Sequence, residues 1–117
     1  MKKQTPLARL KKECVDRAIE IKLLATPICE VCNYRKADTA HHFIHQSQSN
    51  YLRAEQKNLI SVCKICHSSI HLYGREWLLG QIMFKRGKKW YDKLTKDSAI
   101  RIKDNADYWK ELLTLLS

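Results

Sequence analysis

Two cysteine pairs frame the middle of the chain. Cys29 and Cys32 form one C-x-x-C pair, and Cys63 and Cys66 form a second one. Each pair can bend on a tight turn so that two thiolates face one ion, and together they supply the tetrahedral sulfur shell that zinc prefers in structural sites. Residues 33–62, 30 in all, separate the pairs, which exceeds the usual ribbon spacing of ~15–20 and indicates an inserted structure. We predict a structural zinc ion rather than redox-active or merely buried thiols.

The five histidines of the chain are concentrated in the same central segment. His67 and His71 lie four residues apart, so on a helix both imidazoles point to the same side and can bind one metal ion. His41 and His42 are adjacent, and neighbouring side chains of a strand point to opposite faces. One of them can therefore bind the metal while the other stays free to act as a base. The alternative is that these histidines lie on the surface or around the zinc site without a role in chemistry.

The order of these motifs resembles the HNH (ββα-metal) endonuclease superfamily. The chain looks most like its zinc-knuckled members, and among these the phage NinG/Rap recombination nucleases. The residues that carry the resemblance are Ala40-His41-His42-Phe43, a polar loop, Leu52-Arg53-Ala54-Glu55-Gln56-Lys57-Asn58, and Cys63-Lys64-Ile65-Cys66-His67. The resemblance covers about residues 29 to 73 and implies a small ββα-metal core.

The resemblance also implies a role for each matching residue. His42 takes the position of the general base, and Asn58 takes the position that braces the loop and helps to orient that base. The positions of the ligands to a catalytic divalent metal are taken by His41, His67 and His71. Because other members carry Asp and Asn where this chain has His41 and His67, the metal shell implied here is made of imidazole.

The chemistry of phosphodiester hydrolysis fits these residue types. The reaction needs an attacking water, a group that removes its proton, and a cation that offsets charge on the phosphoryl and leaving oxygens. A neutral histidine titrates near the working pH and suits the base. An ion at the departing 3′ oxygen would leave 3′-hydroxyl and 5′-phosphate ends. Imidazole ligands favour Mn²⁺, Ni²⁺, Co²⁺ or Zn²⁺ over Mg²⁺, so we expect Mn²⁺ or Ni²⁺ to support cleavage at least as well as Mg²⁺.

The chain carries a surplus of positive charge. Its 117 residues include 22 Lys and Arg against 12 Asp and Glu, a formal net charge of +10. Such a surplus indicates a polyanion, most commonly nucleic acid, although a basic surface can also serve solubility alone. Arg53, Lys57 and Arg75 flank the motifs and are candidates for phosphate contacts. His45 is interpreted as a residue on the substrate side or on the surface.

Apolar periodicity predicts the elements that position the site. An N-terminal helix spans residues 5–25, begins at a Thr5 cap and carries Cys14 on its apolar face as a small buried residue. The central segment, 28–73, contains two short extended segments, 40–44 and 59–62, and a helix that follows Cys66 and ends at Gly74.

The C-terminal region, 75–117, is predicted to be helical. One helix closes near Gly87, a short second helix follows, and a last helix is capped by Ser98. The three tryptophans, at positions 77, 90 and 109, are interpreted as core residues. Basic residues outnumber acidic ones by eight to two between Lys85 and Lys103, which favours a surface that follows phosphates.

The elements together predict one HNH nuclease domain over residues 1–117, of the α+β class and mostly helical. No run of ~18 apolar residues predicts a membrane span. The basic start, residues 1–6, has no apolar stretch behind it and is not interpreted as a signal peptide. We expect a cytoplasmic protein of a bacterial or phage-infected host cell. The apolar C-terminal helix can pair two chains as a homodimer or pack on the first helix of its own chain, and the second arrangement is the one we expect.

The sequence therefore predicts a metal-dependent HNH endonuclease that hydrolyses DNA, in phage-type recombination or DNA processing on branched or flapped substrates. One alternative is a zinc-knuckle DNA-binding protein that has kept the fold without catalysis. Another is a zinc-stabilised protein-interaction module.

Overall fold

The computed structural model describes residues 5–117. Residues 1–4 lie outside the described residues, and with them most of the basic start, 1–6, that is not interpreted as a signal peptide. Within residues 5–117, four helices and one two-stranded sheet make up a mostly helical α+β fold, as predicted. In chain order the elements are α1 (Pro6–Ala25), β1 (Thr39–His42), a single 3-10 turn (Gln56–Asn58), β2 (Leu59–Val62), α2 (Lys64–Tyr73), α3 (Arg75–Asp97) and α4 (Ala106–Leu116).

The hairpin and the helix behind it form the centre of the molecule. β1 and β2 are antiparallel, with Thr39 opposite Val62 and His42 opposite Leu59. β2 is buried along its whole length, as its apolar sequence predicts. β1 ends at His42, two residues before the predicted end, because the chain turns there into the loop that joins the strands. The predicted helix after Cys66 is present but begins earlier, at Lys64. Cys63 is its N-cap and Cys66 lies in its first turn, so the helix includes the second C-x-x-C pair. The pairs Cys29/Cys32 and Cys63/Cys66 are called the first and the second knuckle below.

α1 and α4 pack against each other and against the outer side of the hairpin. Trp109 is fully buried between them, in one apolar cluster with Cys14 and Leu59. The Cys14 thiol donates a hydrogen bond to the Trp109 carbonyl at 3.3 Å, which confirms that Cys14 is a buried residue of the core. α4 thus covers its apolar face with a helix of its own chain, the arrangement expected from the sequence.

The C-terminal region confirms the predicted break at Gly87 and differs from the prediction at the last helix. α3 spans Arg75–Asp97, but the backbone at Gly87 is not helical (φ 83°, ψ 161°), so two helical segments meet there at a kink. The last helix begins at Ala106 and is capped by Asn105, not by Ser98: the Asn105 side chain accepts from the Tyr108 N–H at 3.1 Å. An N-cap needs extended backbone, which Asn105 has (φ −133°, ψ 169°), whereas Ser98 has helical angles (φ −62°, ψ −19°) and ends α3.

The other two tryptophans pack where the prediction placed them. Trp77 and Trp90 are half-buried on α3 and contact the core that lies between α3, the hairpin and the knuckles. None of the helices within residues 5–117 combines the length and the apolar character that crossing a bilayer requires.

Candidate metal and catalytic centre

The first knuckle is shaped by local turn chemistry and fastened to β2. Asn33 adopts a positive φ of 66° and donates its N–H to the Cys29 carbonyl at 2.9 Å, which bends the chain between the two cysteines. The Cys29 N–H donates to the Arg35 carbonyl at 2.8 Å. The Glu30 N–H donates to the Ser61 carbonyl at 2.8 Å, and the Glu30 carboxylate accepts from the Ser61 N–H at 2.7 Å. The first knuckle is therefore held beside the strand that leads into the second one.

The four knuckle cysteines bring their sulfur atoms together. The ligand atoms of Cys29, Cys32, Cys63 and Cys66 all lie within 4.8 Å of one another, and the Sγ atoms of Cys32 and Cys63 are 4.0 Å apart. Sulfurs on one zinc ion lie ~3.8 Å apart, because the Zn–S bond is ~2.3 Å and the geometry is tetrahedral. All four are free thiols, and three of them are buried. The donor set and its spacing fit a structural zinc ion.

The thiols of this cluster differ in their readiness to ionise. Burial opposes ionisation of Cys32, but the backbone N–H groups of Tyr34 and Arg35 outweigh it and lower the pKa of the Cys32 thiol to about 6. Burial raises the pKa of the Cys66 thiol, and the neighbouring sulfurs raise it further. Cys66 therefore holds a proton at neutral pH that a bound metal has to displace, so metal affinity rises with pH.

Three histidines from two elements face one another beside the hairpin. His41 lies on β1, and His67 and His71 lie one turn apart on α2. The ring centroids are 5.4 Å apart for His41 and His67, 6.0 Å for His41 and His71, and 4.6 Å for His67 and His71. The Nε2 atoms of His67 and His71 are 3.2 Å apart, a separation that also suits two nitrogens bound to one ion at ~2.1 Å.

The histidine set is looser than the cysteine set. Within residues 5–117, the knuckle cysteines alone bring three or more ligand atoms within 4.8 Å of one another. His67 and His71 are therefore spaced for one ion, whereas the His41 ring has to move closer to share it. Burial, followed by the neighbouring histidines, lowers the pKa of His41 to about 4. The His41 ring is neutral at pH 7, which is the form that binds a metal.

The orientation of His42 is fixed by the loop that joins β1 to β2. Its Nε2 atom lies 2.7 Å from the backbone oxygen of Arg53. A carbonyl oxygen only accepts hydrogen bonds, so Nε2 carries the proton and the neutral ring has its free lone pair on Nδ1. Burial lowers the pKa of His42, the bond to the Arg53 carbonyl opposes this shift, and the charges of Arg53 and His45 add to the lowering. His42 thus presents a neutral acceptor nitrogen near pH 7.

Asn58 is fully buried and joins the two ends of the same loop. Its Oδ1 atom accepts from the Ile44 N–H at 2.7 Å. Its Nδ2 atom donates to the Ile44 carbonyl at 2.9 Å and to the Leu52 carbonyl at 3.2 Å. Leu52 is directly followed by Arg53, whose carbonyl accepts from His42. Asn58 therefore supports the backbone that orients His42, although it does not contact that ring.

The three candidates for phosphate contacts have different surroundings. The Arg53 guanidinium donates to Asn50 Oδ1 and Gln46 Oε1 at 3.2 Å and to the Gln46 carbonyl at 3.3 Å. Lys57 forms an ion pair with Asp97, which is buried, at 2.5 Å. Arg75 is exposed, and its guanidinium lies over the Phe43 ring. Two of these side chains are thus engaged within the fold, and Arg75 is the one that faces solvent.

His45 is exposed and accepts from the Ser47 N–H at 3.1 Å, at the start of the loop between the strands.

A residue that the sequence analysis did not single out is Arg86 on α3. Its guanidinium donates to the carbonyls of Lys57 and Leu59, at 3.0 and 2.8 Å, and to the Glu30 carboxylate at 2.8 Å. Arg86 therefore holds the backbone on both sides of Asn58 and links it to the first knuckle. The basic run from Lys85 to Lys103 gave no signal that one of its members points inward.

A comparison with protein families addresses the segment that carries the cysteine cluster and the candidate histidine ligands. Residues 28–72 match the family model for HNH endonuclease. The HNH segment begins one residue before the first knuckle cysteine and ends one residue after His71, so it contains the hairpin, both knuckles and all five histidines. α1, α3 and α4 lie outside it. Neither the comparison with curated proteins nor that with solved structures gives a match to this chain. The match supports the resemblance to the HNH superfamily, and the likeness to NinG/Rap nucleases stays a prediction.

Proposed function

We propose that this protein is a metal-dependent HNH endonuclease that hydrolyses phosphodiester bonds of DNA. The observation that carries the proposal is the orientation of His42, whose free Nδ1 acceptor is set by a 2.7 Å bond to the Arg53 carbonyl within the HNH segment. A histidine with only a packing role would not require one ring nitrogen to donate to a backbone carbonyl and the other to remain a free acceptor.

His42 is the general base of this proposal. Its Nδ1 atom accepts the proton of the attacking water while its Nε2–H group continues to donate a hydrogen bond to the Arg53 carbonyl. The ring then carries a positive charge, and the hydrogen bond to that carbonyl stabilises the imidazolium and keeps it in place. Asn58 acts at a distance, by holding the Ile44 and Leu52 backbone on which this carbonyl depends.

His41, His67 and His71 would hold the catalytic divalent ion, which supplies charge stabilisation at the leaving 3′ oxygen when bound. Neutral imidazoles fit Mn²⁺, Ni²⁺ or Zn²⁺ better than Mg²⁺. The knuckle cysteines would hold a separate structural zinc ion that keeps β2 and α2 in register with the first knuckle.

DNA is the proposed substrate because the net charge of +10 lies mainly outside the HNH segment. Residues 28–73 hold five basic and three acidic side chains, so most of the surplus lies outside this segment. α3 carries a net charge of +4 and α1 a net charge of +2, and Lys2 and Lys3 add two more positive charges, whereas α4 carries −1. These flanks would hold the phosphate backbone while the central segment cuts it. We further propose that the substrates are branched or flapped DNAs of phage-type recombination or DNA processing, in the cytoplasm of a bacterial or phage-infected host cell.

The decisive experiment is cleavage of supercoiled plasmid by the unsubstituted protein and by His42→Ala, with Mn²⁺, Ni²⁺, Mg²⁺ and Zn²⁺ in turn. We expect His42→Ala to lose activity by at least about a hundredfold, because general-base catalysis contributes ~10²–10⁴-fold. His45→Ala is the matched control: the same substitution at an exposed histidine of the same loop should cost far less. Zinc content is measured for each protein to show that the knuckles are intact.

Equal nicking by the unsubstituted protein and His42→Ala, at equal zinc content, would overturn the catalytic role of His42. DNA binding without cleavage by either protein under every metal would favour the zinc-knuckle DNA-binding alternative. If the protein is active, a panel of linear, flapped and four-way-junction DNAs with the best metal tests the proposed substrates.

A further inference from the structure

A cleft beside the candidate centre has no role in the function proposed above. It has a volume of about 400 Å³ and lies between α3 and the loop after β1, with Phe43, Gln48, Arg75, Tyr91 and Thr95 among its lining residues. Its size is within the ~300–1,000 Å³ of sites for small organic groups. The kink at Gly87 produces the cleft, because it turns α3 back so that Arg75 at its start and Thr95 near its end line the same space.

The cleft is connected to the candidate centre along two stretches of chain. Phe43 directly follows His42, and Gln48 lies on the loop that begins with His45. Arg75 follows His71 by four residues, across the Gly74 junction between α2 and α3. The cleft therefore adjoins the histidines along the chain both at Phe43 and at Arg75.

The lining combines an aromatic surface with hydrogen-bonding groups and one cation. Phe43 is buried at the base, and the half-buried Tyr91 ring meets it edge-on, with centroids 6.2 Å apart. The Arg75 guanidinium lies 5.7 Å from the Phe43 ring centre and 3.5 Å from Gln48 Oε1. Among the described residues that line the cleft, none is acidic. A flat, uncharged group attached to an anion matches this combination.

A larger cleft between α1 and the loop that joins the strands does not share these features. It has a volume of about 560 Å³ and lies between α1 and the loop that carries Arg53. Its lining includes the Asp16 carboxylate, paired with Lys12 at 2.7 Å, and no aromatic side chain among the described residues. A nucleobase has nothing to stack on there, so the smaller cleft is the better candidate.

We propose that the cleft between α3 and the loop after β1 binds the base of a nucleotide next to the scissile phosphate, with Tyr91 as the stacking surface and Arg75 on the adjoining phosphate. The Gln48 amide and the Thr95 hydroxyl lie where they can meet the polar edge of the base. This inference rests on the proposed function. It adds a place where the enzyme senses whether a base is stacked in a duplex or free, because a base enters the cleft only after it leaves its stack.

The test uses the full chain carrying His42→Ala, which holds DNA without cutting it, and measures its affinity for DNAs with one abasic site placed at successive positions around the cleavage point. We expect one position at which loss of the base weakens binding by about five- to a hundredfold, the range that corresponds to base–aromatic stacking. Adding Tyr91→Leu should weaken binding of intact DNA to a similar extent and cause no further loss on that abasic DNA. Leucine keeps apolar contact with Phe43 but removes the ring, and Tyr91→Phe should restore binding.

Tyr34→Ala is the matched control, since Tyr34 is an exposed tyrosine on the first knuckle and does not line the cleft. Its effect should be the same on intact and abasic DNA. Arg75→Gln should reduce the slope of log affinity against log salt by about one, on both DNAs. If Tyr91→Leu weakens binding equally at every abasic position, the cleft does not take a base and the inference is wrong. A protein that neither binds nor cleaves DNA with Tyr91 in place contradicts the proposed function instead.

Discussion

Arg53 joins the orientation of His42 to the conformation of a loop. Its carbonyl accepts from His42 Nε2 at 2.7 Å, while its guanidinium is bound to Asn50 and to two acceptors of Gln46. The planar fork of arginine matches several acceptors at fixed angles, and lysine offers only a point charge. The side chain thus ties down the residues just before the carbonyl on which the proposed base depends.

Replacing Arg53 separates this positioning role from the phosphate contact predicted from sequence. We expect Arg53→Lys, which keeps the charge but loses the fork, to lower kcat by about tenfold or more with little change in KM, because misplacement by ~1 Å is costly in catalysis. The measurement is steady-state cleavage, with the proton position on the His42 ring followed by ¹⁵N NMR. A rise in KM with kcat and ring signals unchanged would favour a phosphate contact.

At the scale of the elements, patterns within a few residues predicted the structure better than they predicted contacts between residues far apart in the sequence. The knuckles, α1, β2 and the helix after the second knuckle follow from spacing within a few residues, and the structure contains them. The Asn105 cap was missed because Ser98 satisfies the same composition rule but has helical backbone angles. Arg86 and Glu30 are separated by 56 residues, and no local pattern indicates that two charged side chains so far apart meet inside the fold.

Two glycines of α3 should respond in opposite directions to the same substitution. A Cβ added at Gly87 or at Gly80 meets nothing within 4 Å. Steric contact therefore does not distinguish the two positions, and the backbone conformation determines the effect on stability. Gly87 has a φ of 83°, and Gly87→Ala should lower the free energy of unfolding by ~1–3 kcal/mol. Gly80 lies inside the helix, and Gly80→Ala should raise it by ~0.5–1 kcal/mol. Urea denaturation of both variants tests this; equal effects would mean that Gly87 is not a fixed kink.

The ion pair that fastens α3 to the turn before β2 gives a pH dependence. Asp97 lies between the Lys57 and Lys93 ammonium groups, and hydrogen bonding from Lys57 above all holds the pKa of its carboxyl below the usual range. A lowered folded-state pKa means that the pair stabilises the fold above about pH 4, and that this stabilisation is lost as the pH falls through the folded value.

The free energy of unfolding should therefore differ most between the unsubstituted protein and Asp97→Asn above about pH 4, and the difference should shrink in more acidic solution. Urea denaturation of both proteins at each pH measures it. Comparing them pairwise cancels the effect of acid on the knuckle thiolates, which is common to both. A difference that stays constant with pH would contradict the ion-pair account.

At the scale of the whole molecule, the knuckles connect parts of the chain that meet in one apolar core. They join the segment after α1 to the end of β2 and the start of α2, and Glu30 extends this connection to Arg86 on α3. The cysteine cluster lies at the centre of these connections. A metal ion bound there would contribute to the free energy of folding directly, as in small zinc-dependent folds.

Loss of one knuckle sulfur should consequently destabilise the entire chain. We expect one zinc ion per chain in the unsubstituted protein, and less than half of that with a lowered Tm in Cys32→Ala. Cys14→Ala is the control: it removes a buried thiol outside the cluster, so it should cost stability through a cavity but leave the zinc content at one per chain. Metal analysis and thermal unfolding measure both quantities. A full complement of zinc in Cys32→Ala would show that the cysteines do not form the site.

The loop between the strands is closed where it leaves the sheet. The Phe43 N–H donates to the Asn58 carbonyl at 2.9 Å, and the Asn58 side chain binds both backbone groups of Ile44. These bonds keep the strand register the same whatever the number of residues in the loop. Lengthening such a loop costs free energy only in proportion to the logarithm of its length. Related chains can therefore diverge at the exposed positions 47 and 48, and acquire new ways of contacting a ligand, while Gln46 and Asn50 still hold the Arg53 guanidinium.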